Sequence, residues 1–371
     1  MDNFIVSARK YRPQTFKSVI GQNAITTTLK NSILQQQIAQ AFLFCGPRGV
    51  GKTTCARIFA KTINCQNRTS EGEACNECDS CLSFNASASF NIFELDAASN
   101  SGVDDMRRLV EQVRIPPQGV KYKVYIIDEV HMLSSAAFNA FLKTLEEPPA
   151  YAKFILATTE KHKIIPTILS RCQIFDFKRI KTEDIAKHLA YVAENETIPY
   201  EESALHIIAQ KAEGGLRDSL SMFDQIVSFS GGNLTYANVI ENLNILDYDY
   251  FFKMIDHILK ENTAETLLLY DEILDKGFDG QHFLSGLNEH LRNLSMCKTP
   301  STVRLMEVSD AVKQTFAAQA QEIPDAVLLN MLVLFTKCDA GYKTANNRRL
   351  HVEVALLQAC NLIQKVKVRQ S

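Results

Sequence analysis

The octapeptide GPRGVGKT (46–53) lies between an apolar run, AFLFC, and a helix-forming run, ARIFAKTI. A strand, a glycine-rich loop and a helix in that order form a P-loop, an arrangement that cradles nucleotide phosphates. Gly46, Gly49 and Gly51 let the chain turn so that backbone N–H groups point inward, with Val50 between them and Thr54 in the helix that opens next. That helix start adds its dipole to the anion site. Lys52 is placed to neutralise β- and γ-phosphates, and the Thr53 hydroxyl to ligate Mg²⁺. A second segment, KVYIIDEVH (123–131), is an apolar strand ending in two carboxylates. Alone it would read as a solvated strand edge. Beside a P-loop, Asp128 supplies the metal ligand and Glu129 the group that polarises an attacking water, which hydrolysis requires. KFILATT (153–159) ends in hydroxyls, so Thr159, or else Thr158, is a candidate to hold that water or sense the γ-phosphate. A strand-end threonine bonding its own turn is the plainer reading of that position.

Four of the ten cysteines form a separate constellation, Cys65-x9-Cys75-x2-Cys78-x2-Cys81. A redox pair would leave two thiols unexplained, and a catalytic zinc needs an open position that four protein thiolates do not leave. A structural Zn²⁺ site fits the spacing, with an iron–sulfur cluster as the rival. Cys45, Cys55, Cys172, Cys297, Cys338 and Cys360 stand singly in apolar contexts and read as buried small hydrophobes.

The elements that must position these groups follow from patterning. AFLFCG, FNIFELDA, KVYIIDE, KFILATT and CQIFDF read as strands separated by helical stretches, hence a parallel sheet covered on both faces. From about residue 179 strand character disappears, with Leu216, Leu220, Phe223 and Val227 at helical spacing and Thr235 as a helix cap. The last third is helical with long apolar faces, such as Phe283, Leu287, Leu291 and Leu294, and reads as a packing or assembly region. At 371 residues two or three domains are expected. Apolar content of 46% and charged content of 22% are those of a soluble globular protein. No run approaches the ~20 apolar residues of a membrane span, and MDNFIVSARK lacks the pattern of a signal peptide. A cytoplasmic location, where thiols stay reduced, is therefore expected. With a formal net charge of −2, any nucleic-acid contact must come from a local basic patch. Arg9, Lys10 and Arg12 form a short basic arm that composition alone would assign to such contacts.

In order, GPRGVGKT, IIDEVH, LATT and SRC (170–172) resemble the AAA+ ATPases of the clamp-loader class, the tau/gamma subunits of bacterial DNA polymerase III above all. ARKYRPQTFKSVIGQ (8–22), FNAFLKTLEEPPAYAKF (138–154) and GGLRDSLS (214–221) extend the likeness across roughly residues 1 to 240. The resemblance implies an α/β P-loop NTPase (AAA+) sheet domain over 1–178, with a zinc-module insertion at about 62–85. A small helical lid domain over 179–242 and a C-terminal all-α collar over 243–371 would follow. It also assigns residues. Arg171 would enter a neighbouring subunit's ATP site as an arginine finger, Arg217 would touch the γ-phosphate in cis, and Tyr11, Arg12, Val19 and Ile20 would line the adenine pocket.

The implied activity is ATP hydrolysis that opens a sliding clamp and loads it onto primed DNA during replication. The chain would work in an oligomer with delta, delta-prime and further tau/gamma subunits, and would use ATP, Mg²⁺ and Zn²⁺. DNA contact would be to phosphates, from helix starts such as SNSGVDDMRR (99–108). Another AAA+ motor, such as a branch-migration helicase, is one alternative, against which the four cysteines and SRC count. A non-hydrolysing scaffold similar to delta-prime is another; intact Lys52, Thr53, Asp128 and Glu129 disfavour it. The family's long form carries a tail beyond the collar, so a chain ending at Ser371 reads as a short form or a truncation.

Overall fold

The structure, a computed structural model, describes residues 5–243, 246–306, 308 and 310–370. The first four residues and Ser371, on which the expectations about a leader and a tail bear, lie outside them. Two compact units make up the chain: Met1–Tyr200 with Ile208–Ser228, and Glu201–Ile207 with Phe229–Ser371.

In the first unit, α1 (Ser7–Lys10) and α2 (Asn23–Leu34) precede β1 (Ala41–Cys45), and the P-loop then leads into α3 (Lys52–Ile63) and α4 (Asp79–Asn85). β2 (Ile92–Asp96), α5 (Val103–Val113), β3 (Lys123–Asp128), α6 (Ser135–Glu146), β4 (Ala152–Thr158), α7 (Pro166–Leu169) and β5 (Gln173–Asp176) follow in that order. All five expected strands are present, paired in parallel in the order β2-β3-β4-β1-β5.

Why these segments are strands is visible in their burial. Every residue of β1 and β4 is buried, because helices cover both faces and alternation would leave polar groups dry. Phe42 and Phe44 pack with Leu29, Phe59 and Ile63 on one face; Leu43 and Cys45 pack with Met106, Phe138 and Phe141 on the other. Each such phenylalanine contributes about 1.5–3 kcal/mol of burial free energy. The buried charges are paired off: Lys123 Nζ donates to the carbonyls of Gln112 and Ile115, and Lys153 Nζ to that of Ile38. Edge strand β5 buries only Phe175. Of the isolated cysteines, Cys45, Cys55, Cys338 and Cys360 are buried, whereas Cys172 and Cys297 are half-buried.

Past the sheet come α8 (Thr182–Asn195), α9 (Glu202–Lys211), α10 (Leu216–Phe229) and α11 (Tyr236–Asn242), the last capped by the Thr235 hydroxyl as expected. On α10, Leu216, Leu220 and Phe223 face inward as expected, and Ile226 completes the buried stripe while Val227 is half-buried.

The second unit is helical: α12 (Tyr248–Leu259), α13 (Thr263–Asp275), α14 (Gly280–Cys297), α15 (Asp310–Glu322), α16 (Asp325–Tyr342) and α17 (Arg348–Gln370). Phe283, Leu287, Leu291 and Leu294 of α14 are fully buried in its core. No helix among the described residues is long and apolar enough to cross a membrane. Within this core His290 lies against Phe251, Phe252 and Phe316. Its Nε2 donates to Gln319 Oε1 at 3.1 Å, while Nδ1 has no hydrogen-bond partner among the described residues. Burial lowers its pKa from 6.5 to about 4. Between those values the unfolded chain binds a proton that the folded domain does not, so stability should fall as pH drops from about 6.5 to 4 and level off below. Denaturant titrations across that range should show a loss of about 3 kcal/mol, and His290→Phe should flatten the slope.

Candidate nucleotide and metal sites

At the carboxyl edge of the sheet, the ends of β1 and β3 open onto a cavity of about 870 Å³ within the first unit. It brings together Tyr11, Arg12, Val19, Ile20, Gly49, Val50, Gly51, Lys52, Thr53, Thr54, Asp128, Glu129 and Arg217. Gly46, Thr159 and Arg171 are outside its lining. Parallel strands aim their carboxyl ends at one crevice, which is why residues so distant in sequence converge there.

The loop itself is held by local chemistry. Lys52 Nζ donates to the carbonyls of Gly46 and Pro47 at 2.8 and 2.7 Å, and burial lowers its pKa against the opposing pull of Glu129 and Asp128. The Thr53 hydroxyl donates to Asp128 Oδ2 at 2.6 Å. A hydroxyl and a carboxylate in contact at the mouth of an anion-binding loop form a hard oxygen donor pair that suits Mg²⁺.

Glu129 has a left-handed backbone, φ 47° and ψ 46°, a conformation that costs a non-glycine residue about 1 kcal/mol. Its Oε2 accepts from the backbone N–H and the hydroxyl of Thr159 at 3.0 and 2.9 Å. His131, to which the sequence assigned no role, bridges the same group. Its Nδ1 is 3.1 Å from Thr158 Oγ1 and 3.3 Å from Glu129 Oε2, and its Nε2 is 3.0 Å from Glu160 Oε2. Thr158 thus contacts His131 and Thr159 contacts Glu129, contacts that the sequence did not foresee for either. Proximity of a histidine to the Asp-Glu pair was the only sequence signal; Glu160 had none.

Arg217 stands in the first turn of α10 with its backbone N–H 3.4 Å from the Gly49 carbonyl, which ties that helix to the P-loop. The neighbouring Asp218 faces Arg48 at 3.9 Å. On the opposite side the basic arm is folded onto helices of the same unit. Tyr11 donates to Glu196, which also pairs with Lys10 at 2.6 Å; Ser7 N–H donates to Asp224; and Arg12 Nε reaches Thr54 Oγ1 at 3.2 Å. Burial, then Glu196, pushes the Tyr11 phenol up to about 12. Arg171 sits apart and exposed, paired with Glu146 at 2.9 Å and donating to the Thr167 carbonyl at 2.8 Å.

Beyond the far end of α3, the sulfurs of Cys65, Cys75, Cys78 and Cys81 all lie within 4.8 Å of one another. A tetrahedral ion with metal–sulfur bonds of about 2.3 Å requires sulfurs about 3.8 Å apart, so the cage fits one ion. Cubane iron–sulfur clusters place their thiolates outside four irons and need wider spacing. Backbone N–H groups of Glu77 and Cys78 point at Cys75 Sγ, and these bonds push its pKa down to about 6.

Three family models match in succession. "DNA polymerase III, delta subunit" covers residues 21–181, "DNA polymerase III clamp loader subunit, ATPase lid domain" 184–232, and "DNA polymerase III subunits gamma and tau domain III" 234–370. The chain is 42% identical over 352 residues to DNA polymerase III subunit tau of Bacillus subtilis, covering 95% of this chain and 62% of that one. It is 36% identical over 367 residues to DNA polymerase III subunit gamma of Buchnera aphidicola, covering 98% of each. Among solved structures, the Thermotoga maritima RuvB Holliday junction branch migration motor superposes with a TM-score of 0.48 at 20% identity, over 67% of this chain and 79% of that one.

Loop geometry yields a prediction independent of any ligand. At Gly46, φ is +147° and an added Cβ would stand 2.5 Å from the Phe177 carbonyl oxygen, whereas at Gly51, φ +102°, it would meet nothing within 4 Å. Gly46→Ala should lower stability by about 2 kcal/mol or more, and Gly51→Ala by less, as read from denaturation midpoints.

Proposed function

The chain belongs to the gamma and tau subunit family of the DNA polymerase III clamp loader, and we propose that it is an ATP hydrolase that drives sliding-clamp loading onto primed DNA. The observation that carries this reading is the contact of Thr53 with Asp128 beside Lys52, in a cavity whose other walls are Val19, Ile20 and Arg217. Lys52 would leave its two loop carbonyls for phosphate oxygens, and Thr53 and Asp128 would hold Mg²⁺, which supplies charge neutralisation on the phosphates. Loop amides freed by Gly46, Gly49 and Gly51 would bind the remaining oxygens, while Val50, Thr54, Tyr11 and Arg12 shape the rest of the pocket. Glu129, released from Thr159, would orient the attacking water, and Arg217 would sense the γ-phosphate from α10.

Arg171 would act in a neighbouring subunit, its position outside this chain's own cavity being what an in-trans finger needs. That requires an oligomer, with the helical part over 243–371 as the collar, 179–242 as the lid and 1–178 as the nucleotide-binding domain. Delta, delta-prime and further gamma/tau copies are the proposed partners, in the cytoplasm, and Zn²⁺ the proposed ion of the four-cysteine module.

Measuring ATP turnover of the assembled complex alone, with clamp, and with clamp plus primed DNA tests the reading: stepwise stimulation is expected. A rate indifferent to clamp and primed DNA, together with migration of branched junctions, would contradict it. Arg171→Ala should retain ATP binding and reduce turnover by ~10³-fold; loss of binding would place Arg171 in the cis site instead. Elemental analysis should return one zinc and no iron per chain, with zinc lost in Cys81→Ser.

A further inference from the structure

Cys65 follows α3 by two residues, so the four-cysteine module hangs from the same helix whose first residue is Lys52. Two buried charged side chains extend the module's reach. Lys61, on the last turn of α3, is 2% exposed, and its Nζ donates to Asn76 and Asn85 at 2.6 and 3.3 Å. Glu73, between the first two thiols, is 8% exposed and reaches out of the module altogether. Its carboxylate accepts from the backbone N–H groups of Phe16 and Lys17 at 3.0 and 3.1 Å and pairs with Lys30 at 3.3 Å.

Phe16 and Lys17 open the 3-10 turn Phe16–Ser18, whose first N–H groups have no partner within the turn. The residues directly after it are Val19 and Ile20, two of the apolar residues that wall the cavity. Glu73 thus braces the first N–H groups of the turn that sets their position, while a Thr15–Ser18 capping box closes the turn itself. Within its own loop Glu73 is joined to Thr69, through Glu73 N–H to the Thr69 hydroxyl at 3.1 Å and Thr69 N–H to the Glu73 carbonyl at 3.0 Å. The ion that gathers Cys65, Cys75, Cys78 and Cys81 would close that loop; without it, closure entropy opposes the buried placement of Glu73.

We propose that the metal-bound four-cysteine module is a strut for the Val19–Ile20 wall of the cavity, acting through Glu73 as a positioning residue. The inference rests on the nucleotide reading of that cavity only for its consequence. With the module loaded, the wall is held and nucleotide binds a formed pocket. When the ion is removed, the two N–H groups lose a charged acceptor, the turn loosens and affinity falls.

The test combines amide hydrogen exchange over residues 14–21, read without nucleotide, with binding of ATP carrying a fluorescent ribose label, on the full chain. It compares metal-loaded protein, chelator-stripped protein, Glu73→Ala and stripped Glu73→Ala. Stripping and Glu73→Ala should each speed exchange at Phe16 and Lys17 by about tenfold or more and weaken labelled ATP by a similar factor. The combination should do no more than either alone, because both remove the same contact, and Glu73→Gln, keeping one acceptor oxygen, should fall between. Loaded Glu73→Ala should retain its zinc. If Glu73→Ala fails to fold, stripping alone still decides. The proposal is overturned if stripping speeds exchange within the module but leaves Phe16 and Lys17 protected, or if the two effects add. Loaded protein that binds no labelled ATP, yet shows the exchange response, sinks the nucleotide reading and leaves the strut standing.

Discussion

Backbone N–H groups converge on an anion where the chain turns tightly into a helix start, and here that turn depends on positive φ at Gly46, Gly49 and Gly51. Everything else in the first unit is arranged around it. β1 delivers the turn from inside the sheet, flanked by β4 and edge strand β5, so the loop emerges where neighbouring strands also end. Phe177 lies so close to Gly46 that no side chain fits between them. The Gly49 carbonyl accepts from the first turn of α10, so the loop is also the attachment point of the helix that carries Arg217. The loop and a helix more than 150 residues away in sequence are thereby joined, by this backbone contact and by the Arg48–Asp218 pair.

The acidic side of the cavity carries tension of another kind. Asp128 is engaged by Thr53, and Glu129 is held on Thr159 in a strained backbone conformation with His131 alongside. Strained residues persist where surrounding contacts over-determine them, and here those contacts come from the ends of two adjacent strands, β3 and β4. In the proposed mechanism Glu129 would leave this arrangement to orient a water, and Thr159 and His131 would set how readily it does.

How much of this was legible beforehand depends on how local the determinant is. The strands could be read because full burial demands unbroken apolar runs, and the P-loop because one contiguous octapeptide contains all its parts. Cysteine spacing gave the metal cage for the same reason. Glu73, Glu160 and Glu196 were invisible: each is an ordinary carboxylate whose partner, whether Phe16 N–H, His131 or Tyr11, is brought near only by the folded chain. His131 stood next to a recognisable pair, yet its bridging role needs the end of β4 beside the end of β3. On α10 the spacing pointed to Val227, yet Ile226 is the buried residue, because what packs on a helix decides the width of its buried face.

The central claim is that Lys52, Thr53 and Asp128 exchange their bonds to the protein for bonds to Mg²⁺ and a nucleotide triphosphate. A crystal structure with a non-hydrolysable ATP analogue and Mg²⁺ tests it most directly. The account predicts Lys52 Nζ withdrawn from the Gly46 and Pro47 carbonyls onto phosphate oxygens, with the ion between Thr53 and the Asp128 carboxylate. A nucleotide bound elsewhere, or bound here with the Thr53–Asp128 and Lys52–carbonyl bonds intact, would contradict it.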